Sequence, residues 1–360
     1  MEKDQFLKEC PILFKKYIVK RKIGRFDFSE IYLAKTISDE KLVWIKVEKK
    51  NTLESLLETE AFTYCFIKGI GIPKLLSYVR TKNYNVLVTP ELGKSLNDIF
   101  LEKRKVFDIE ELCMIALQVL ERIEIVHSNY FIHRNIKPDV FHIGKEDPNI
   151  IYLTNLCLVS KYRSSTTKNH IKFKLTGKLF GTIRFASPNA LKGGQQSRKD
   201  DLISIGYMLI YFMKKKLPWQ HIKASNPTDK YIKIYKMKKE IRPENLCYNL
   251  PWEIAEYMKY VQYLGFEQNP DYQYLKNLFK SILNNLEFNI DHFCFSWIKN
   301  SHKAKLKYPI NSILDIKQNG YDSDSDSSNN LSQSLEPAPP AIDEINMNLK
   351  RNKSYNNLFF

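Results

Sequence analysis

The stretch Phe131-Ile-His-Arg-Asn-Ile-Lys-Pro-Asp-Val-Phe141 decides how this chain is read. It is a short run of basic, amide and carboxylate side chains between apolar ends, and the chain differs in character on its two sides. Upstream, residues 17–48 alternate as strands do, in Tyr17-Ile-Val-Lys-Arg-Lys-Ile23 and Lys41-Leu-Val-Trp-Ile-Lys-Val47. A helix is predicted over Leu53–Phe66, then strands near Leu75–Arg80 and Tyr84–Thr89. Beyond Gly93 helical spacing takes over. Asp108 and Glu111 form a capping-box pattern ahead of Leu112, Ile115, Val119 and Ile123. Downstream, Leu202–Met213 is apolar on nearly every face, which predicts a buried helix. Residues 252–300 read as further helices.

Composition bounds the rest. The 360 residues are 43% hydrophobic, enough for one large domain or two lobes. The formal net charge is +16, and the last 60 residues hold seven basic and seven acidic side chains, so the excess lies in residues 1–300. A basic globular part expects acidic partners. Tyr321-Asp-Ser-Asp-Ser-Asp-Ser-Ser328 and Pro337-Ala-Pro-Pro340 cannot build a core, so 301–360 reads as a mostly disordered acidic, serine-rich tail. The six cysteines form no CxxC pair and the seven histidines have no ligand spacing; neither a disulfide framework nor a metal site is expected. Reduced thiols point to the cytoplasm, with the nucleus also open. Lys236-Met-Lys-Lys239 reads as surface charge rather than a nuclear signal. Neither a signal peptide nor a membrane span is expected.

The central stretch resembles the catalytic loop of protein kinases, H-R-D-x-K-x-x-N. Several segments together resemble the casein kinase 1 family of Ser/Thr kinases. They are Tyr17-Ile-Val-Lys-Arg-Lys-Ile-Gly24, Gly71-Ile-Pro73, Tyr84-Asn-Val-Leu-Val88, Gly181-Thr-Ile-Arg-Phe-Ala-Ser187, Ser197-Arg-Lys-Asp-Asp201, Leu217-Pro-Trp219 and Pro270-Asp-Tyr272. Ser187-Pro-Asn189 resembles that family's S-I-N. The resemblance covers roughly 17–298. It implies an α+β, bilobal protein-kinase fold: an extension over 1–16, a strand-rich N-lobe over 17–89 and a helical C-lobe over 93–300.

Position by position, the resemblance also implies losses. The catalytic Asp is Asn135, which offers neither a base nor a negative charge. The two magnesium-holding positions are Val140 and Asn155, the second within Asn155-Leu-Cys157, where the family has D-F-G. Of the glycine-rich loop only Gly24 remains; Phe26 and Asp27 put bulk and charge where phosphates would lie. Val43-Trp44-Ile45-Lys46 stands for V-A-I-K, so Trp44 replaces the alanine above the adenine, and His142 replaces a leucine below it. The slot would be lined by Gly24, Ile31, Trp44, Lys46, Pro90, Leu92 and His142. An indole turned into the lobe core would leave it open. Lys46 would pair with Glu60, or else with Glu58. His133, Arg134 and Lys137 fit the scaffold, and the residue matching Asp201 braces the loop backbone.

Arg184 and Lys230 match two positions of that family's phosphate-accepting basic pocket, whose glycine is His221 here; Lys214, Lys215 and Lys216 lie close in sequence. Arginine and lysine are good phosphate donors. The resemblance, with its losses, implies a pseudokinase that needs neither ATP nor magnesium. It would bind acidic or phosphorylated proteins, including its own tail phosphorylated at Ser323, Ser325, Ser327 or Ser328, and not nucleic acid. The alternatives are a Ser/Thr kinase using ATP and magnesium through unusual residues, and a nucleotide-binding switch without catalysis.

Overall fold

The structure, a computed structural model, describes residues 5–26, 28–50, 55–164, 166–288 and 294–298. The tail with its serine cluster, Asp27, and the predicted helix start at Leu53 lie outside the described residues.

The first lobe is built on α1 (Gln5–Glu9), β1 (Ile12–Leu13), β2 (Tyr17–Phe26), β3 (Ser29–Thr36), β4 (Leu42–Lys49), α2 (Leu56–Phe66), β5 (Ser77–Arg80) and β6 (Tyr84–Pro90). The strands form one antiparallel sheet in the order β1-β2-β3-β4-β6-β5. Alternation along β3 and β4 sends Tyr32, Ala34, Val43, Ile45 and Val47 into one small core with Val86 and Val88. Residues 5–16 of the extension join this lobe. Phe6, 2% exposed, packs edge-on against Tyr84 and beside Tyr32, at ring centroid distances of 5.1 and 4.8 Å. Ser55 caps α2 by accepting from the Glu58 amide at 3.0 Å.

The second lobe contains α3 (Leu96–Lys103), α4 (Ile109–Ser128), β7 (Phe131–Ile132), β8 (Phe141–Ile143), β9 (Ile151–Leu153), β10 (Ser160–Lys161), α5 (Pro188–Leu191), α6 (Arg198–Lys214), α7 (Pro227–Glu240), α8 (Pro243–Leu246), α9 (Trp252–Tyr263) and α10 (Tyr272–Asn285). A small β-rich lobe and a large helical one make the expected bilobal α+β fold. α6 is buried along nearly its whole length, as its apolar sequence predicts. One core cluster runs from α2 through α4 and α6 to α9 and α10, so the helical lobe supports the floor of the cleft between the lobes.

Two local expectations need correcting. Asp108 does occupy the N-cap of α4 but makes no side-chain cap bond. Glu111 is drawn away: its Oε1 accepts from the Ser296 amide at 2.9 Å and hydroxyl at 2.6 Å, and its Oε2 pairs with Lys103. The basic run at 236–239 is not all surface. Lys238 is 1% exposed, because the pitch of α7 turns that one lysine inward. No helix of the described residues is long and apolar enough to cross a membrane.

Candidate active site

The central stretch begins on β7, which pairs with β10, and ends on β8, which pairs with β9. Between them the loop is held from below by α6. Asp201 accepts from the backbone amides of His133 and Arg134, at 2.6 and 2.8 Å, and lies 3.0 Å from His127 Nε2. Burial opposes its ionisation, but the hydrogen bonds and charge interactions with His127 and His133 together outweigh that and hold it below the usual range. His127 in turn meets the Tyr272 hydroxyl at 2.5 Å through Nδ1. Arg134 takes a left-handed backbone conformation, φ 66°. Its Nε donates to the Leu158 carbonyl at 2.6 Å, and its guanidinium lies over the Phe180 ring at 4.2 Å. Burial pulls that guanidinium down to about 10. Gly181 passes so close above that a Cβ there would meet the Arg134 carbonyl oxygen at 2.7 Å. With φ at 110°, only glycine suits the crossing.

Asn135 is 2% exposed and accepts the Thr182 hydroxyl at 3.0 Å through Oδ1. Asn155, equally buried, sits in the left-handed region at φ 64°, and Cys157 Sγ lies 3.5 Å from its Oδ1. Val140 is fully buried with Phe141 in the lobe core. The chain thus places two amides and one aliphatic side chain where the resemblance implies carboxylates and an amide.

On the opposite wall, Lys46 Nζ lies 2.6 Å from Glu60 Oε1, which the Tyr64 hydroxyl also reaches at 3.3 Å. Glu58 pairs instead with Arg80. Phe26, at the end of β2, leans over the same region. Its ring centroid is 5.8 Å from Lys46 Nζ and 5.0 Å from Lys137 Nζ, within cation–π range of both. Sequence reading put the bulk of Phe26 where phosphates would lie; its contact with the two lysines was not foreseen, although an aromatic two residues beyond the loop's glycine lands on the cleft side of the strand. Gly24 itself has room, since a Cβ there would meet nothing within 4 Å.

The indole of Trp44 is not turned into the lobe core. It stands edge-on to the His142 ring, centroids 5.2 Å apart. Together with Phe26, Ile31, Lys46, Leu92 and Thr154 these rings leave an inner space of only about 10 Å³, roughly one water. Pro90 ends β6 opposite Val43. Outside that plug the cleft opens to about 580 Å³, between Arg21, Gly24 and Arg25 on one side and Lys94, Asp98, Asp139 and Lys145 on the other. Burial, then the Lys46 charge, pushes His142 down to about 4, so it is neutral near pH 7.

The protein kinase domain family model matches residues 17–288, most of the chain. This chain belongs to the protein kinase domain family. The kinase domain therefore begins at β2, and α1 and β1 are additions to it. Within the kinase domain, Ser187, Asn189 and Asp200 tie the start of α5 to α6: the Ser187 hydroxyl donates to Asp200 Oδ1 at 2.5 Å and Asn189 Nδ2 to the same oxygen at 3.2 Å. Lys238 enters from α7 and donates to the carbonyls of Ile183, Arg184 and Ala186 at 2.8, 3.1 and 2.7 Å, between the rings of Tyr207 and Trp219. Sequence reasoning missed this anchor.

Arg184 and Lys230 are both exposed, Arg184 with its guanidinium 5.7 Å from the Tyr211 ring centre. Two of the nearby lysines are already engaged: Lys214 Nζ donates to the Leu246 carbonyl at 2.9 Å, and Lys215 binds the Arg104 carbonyl. That narrows the basic face foreseen from the sequence. No group of three or more His, Cys, Asp and Glu fit to hold a metal occurs among the described residues.

Proposed function

We propose that the domain is a casein kinase 1-like pseudokinase: a kinase fold kept as a binding module for acidic or phosphorylated proteins, with its own phosphorylated tail among the candidates. The observation that carries this is Phe26. Its ring lies against both Lys46 and Lys137, the cations a nucleotide's phosphates would need, while Trp44 and His142 close the inner slot. Asn135, Asn155 and Val140 add the absence of a carboxylate at the base and metal positions. The residues present do not fit a magnesium–nucleotide complex. The exposed Arg184 and Lys230 supply the anion-binding side of the reading. Six free thiols agree with a cytoplasmic setting.

A second reading, a weakly active Ser/Thr kinase, draws on one observation: the Lys46–Glu60 pair is made, at 2.6 Å. Thermal melting with ATP, with and without magnesium or manganese, separates the two. Ligand at 100 times its dissociation constant stabilises by about 2.7 kcal/mol, so a binder is easily seen. Under the pseudokinase reading millimolar ATP leaves the melting temperature unchanged. A shift of several degrees that needs the metal, together with phosphate transfer to casein abolished by Lys46→Met, overturns it.

A further inference from the structure

At the base of the helical lobe, away from the cleft, lies a groove of about 500 Å³. Phe107, Ile109, Met213, Leu250, Trp252 and Leu286 line it, and Glu253 is among its few charged neighbours. Trp252 is 64% exposed and Leu286 46%. An indole left that open beside other apolar side chains is unusual on a surface and marks a contact site.

The chain itself leads to this groove. Beyond α10, Phe295 and Trp297 stack with centroids 4.1 Å apart. Trp297 then meets Phe107, a groove residue, edge-on at 6.2 Å, and its Nε1 donates to the Pro148 carbonyl at 3.1 Å. The Glu111–Ser296 bonds fix the same point. Ile298 is the last described residue, and 62 residues of chain follow it from beside the groove. Ten residues on, the sequence reads Tyr308-Pro-Ile-Asn-Ser-Ile-Leu-Asp-Ile316. Ile310, Ile313 and Leu314 recur at the i, i+3, i+4 spacing of one helix face, with Pro309 at a position suited to a first turn. Ten residues of extended chain span up to about 33–36 Å, and they start beside Phe107, which lines the groove.

We propose that residues 309–316 dock in this groove in the same molecule, with Ile310, Ile313 and Leu314 against Trp252, Leu250 and Leu286. A short tether raises the effective concentration, so a segment too small to bind in trans is held in cis. The acidic serine cluster at 322–328 would then leave the domain from its base.

Hydrogen exchange on the full chain tests this. In the wild type, amides of 249–256 and 282–288 exchange several-fold more slowly than in the triple variant Ile310→Asp, Ile313→Asp, Leu314→Asp, whose substitutions lie beyond the matched kinase domain. Trp252→Ala, from the groove side, speeds tryptic cleavage at Lys307 and Lys317 several-fold, with the melting temperature recording that the domain stays folded. Equal exchange in wild type and triple variant overturns the proposal. So does protection that appears only as the molar mass by light scattering rises with concentration, which would assign the groove to a second copy.

Discussion

Asp201 and His142 are single side chains with opposite meanings for this domain. Asp201 joins three groups, the His133 and Arg134 amides and the His127 ring, and is buried with them. Asp201→Ala leaves two amides without their partner, and the expected cost is about 3–5 kcal/mol in urea unfolding, with Asp201→Asn milder. A loss below about 1 kcal/mol would mean the loop is held by its other contacts. His142 titrates near 4 in the folded chain, below the ordinary 6.5. The folded state therefore binds fewer protons than the unfolded one between those values, and the histidine costs stability as pH falls from about 6.5 towards 4. His142→Leu removes that penalty, so its melting temperature should gain on the wild type over this window and run parallel to it above pH 7. Asp201, Lys46 and Glu60 were legible through the kinase resemblance, whose motifs give each of them a partner. The contact of Phe26 with two lysines was not, since the path of a loop with one glycine is set by what it packs on.

α7 shows how an element can look different in sequence and in space. Lys-Met-Lys-Lys at 236–239 carries charge on three of four positions, and nothing in the run tells which one faces inward. The partners that take Lys238 in are three carbonyls some fifty residues earlier, at 183, 184 and 186. α7 thereby holds the segment that carries Arg184. Burial alone drives the Lys238 ammonium well below its usual value, so its three acceptors are what keep it in place. Lys238→Met, similar in length, should cost about 1–3 kcal/mol and speed amide exchange at 183–187, because the carbonyls lose their donor. An unchanged domain would mean that water replaces the ammonium. α4 shows the same limit: Glu111 looks like a capping residue locally, yet it serves Lys103 and Ser296, and the latter lies 185 positions away.

For the whole molecule, the two lobes, their order and the buried α6 were all legible, because period and composition change where the lobes do. The docking of 5–13 onto the small lobe was not, since five helical residues and two strand residues carry little pattern. The basic balance of residues 1–300 remains the broadest functional signal. A peptide over 318–332 phosphorylated on its serines should bind the intact chain, at least ten times less tightly to Arg184→Ala with Lys230→Ala (about 1.4 kcal/mol per factor of ten), and less still in added salt. Equal binding by the double variant would leave those residues as ordinary surface. The sheet of the small lobe has one more consequence. β1 covers only the first residues of β2, at Tyr17 and Ile18, and beyond them β2 carries exposed Lys20, Arg21, Lys22 and Arg25, of which Arg21 and Arg25 line the cleft and Lys22 pairs with Glu30. Unpaired strand borders invite other chains to add on and aggregate, and a row of like charges repels that approach. Solutions of this protein should therefore store best at low ionic strength and turn turbid when salt screens that row.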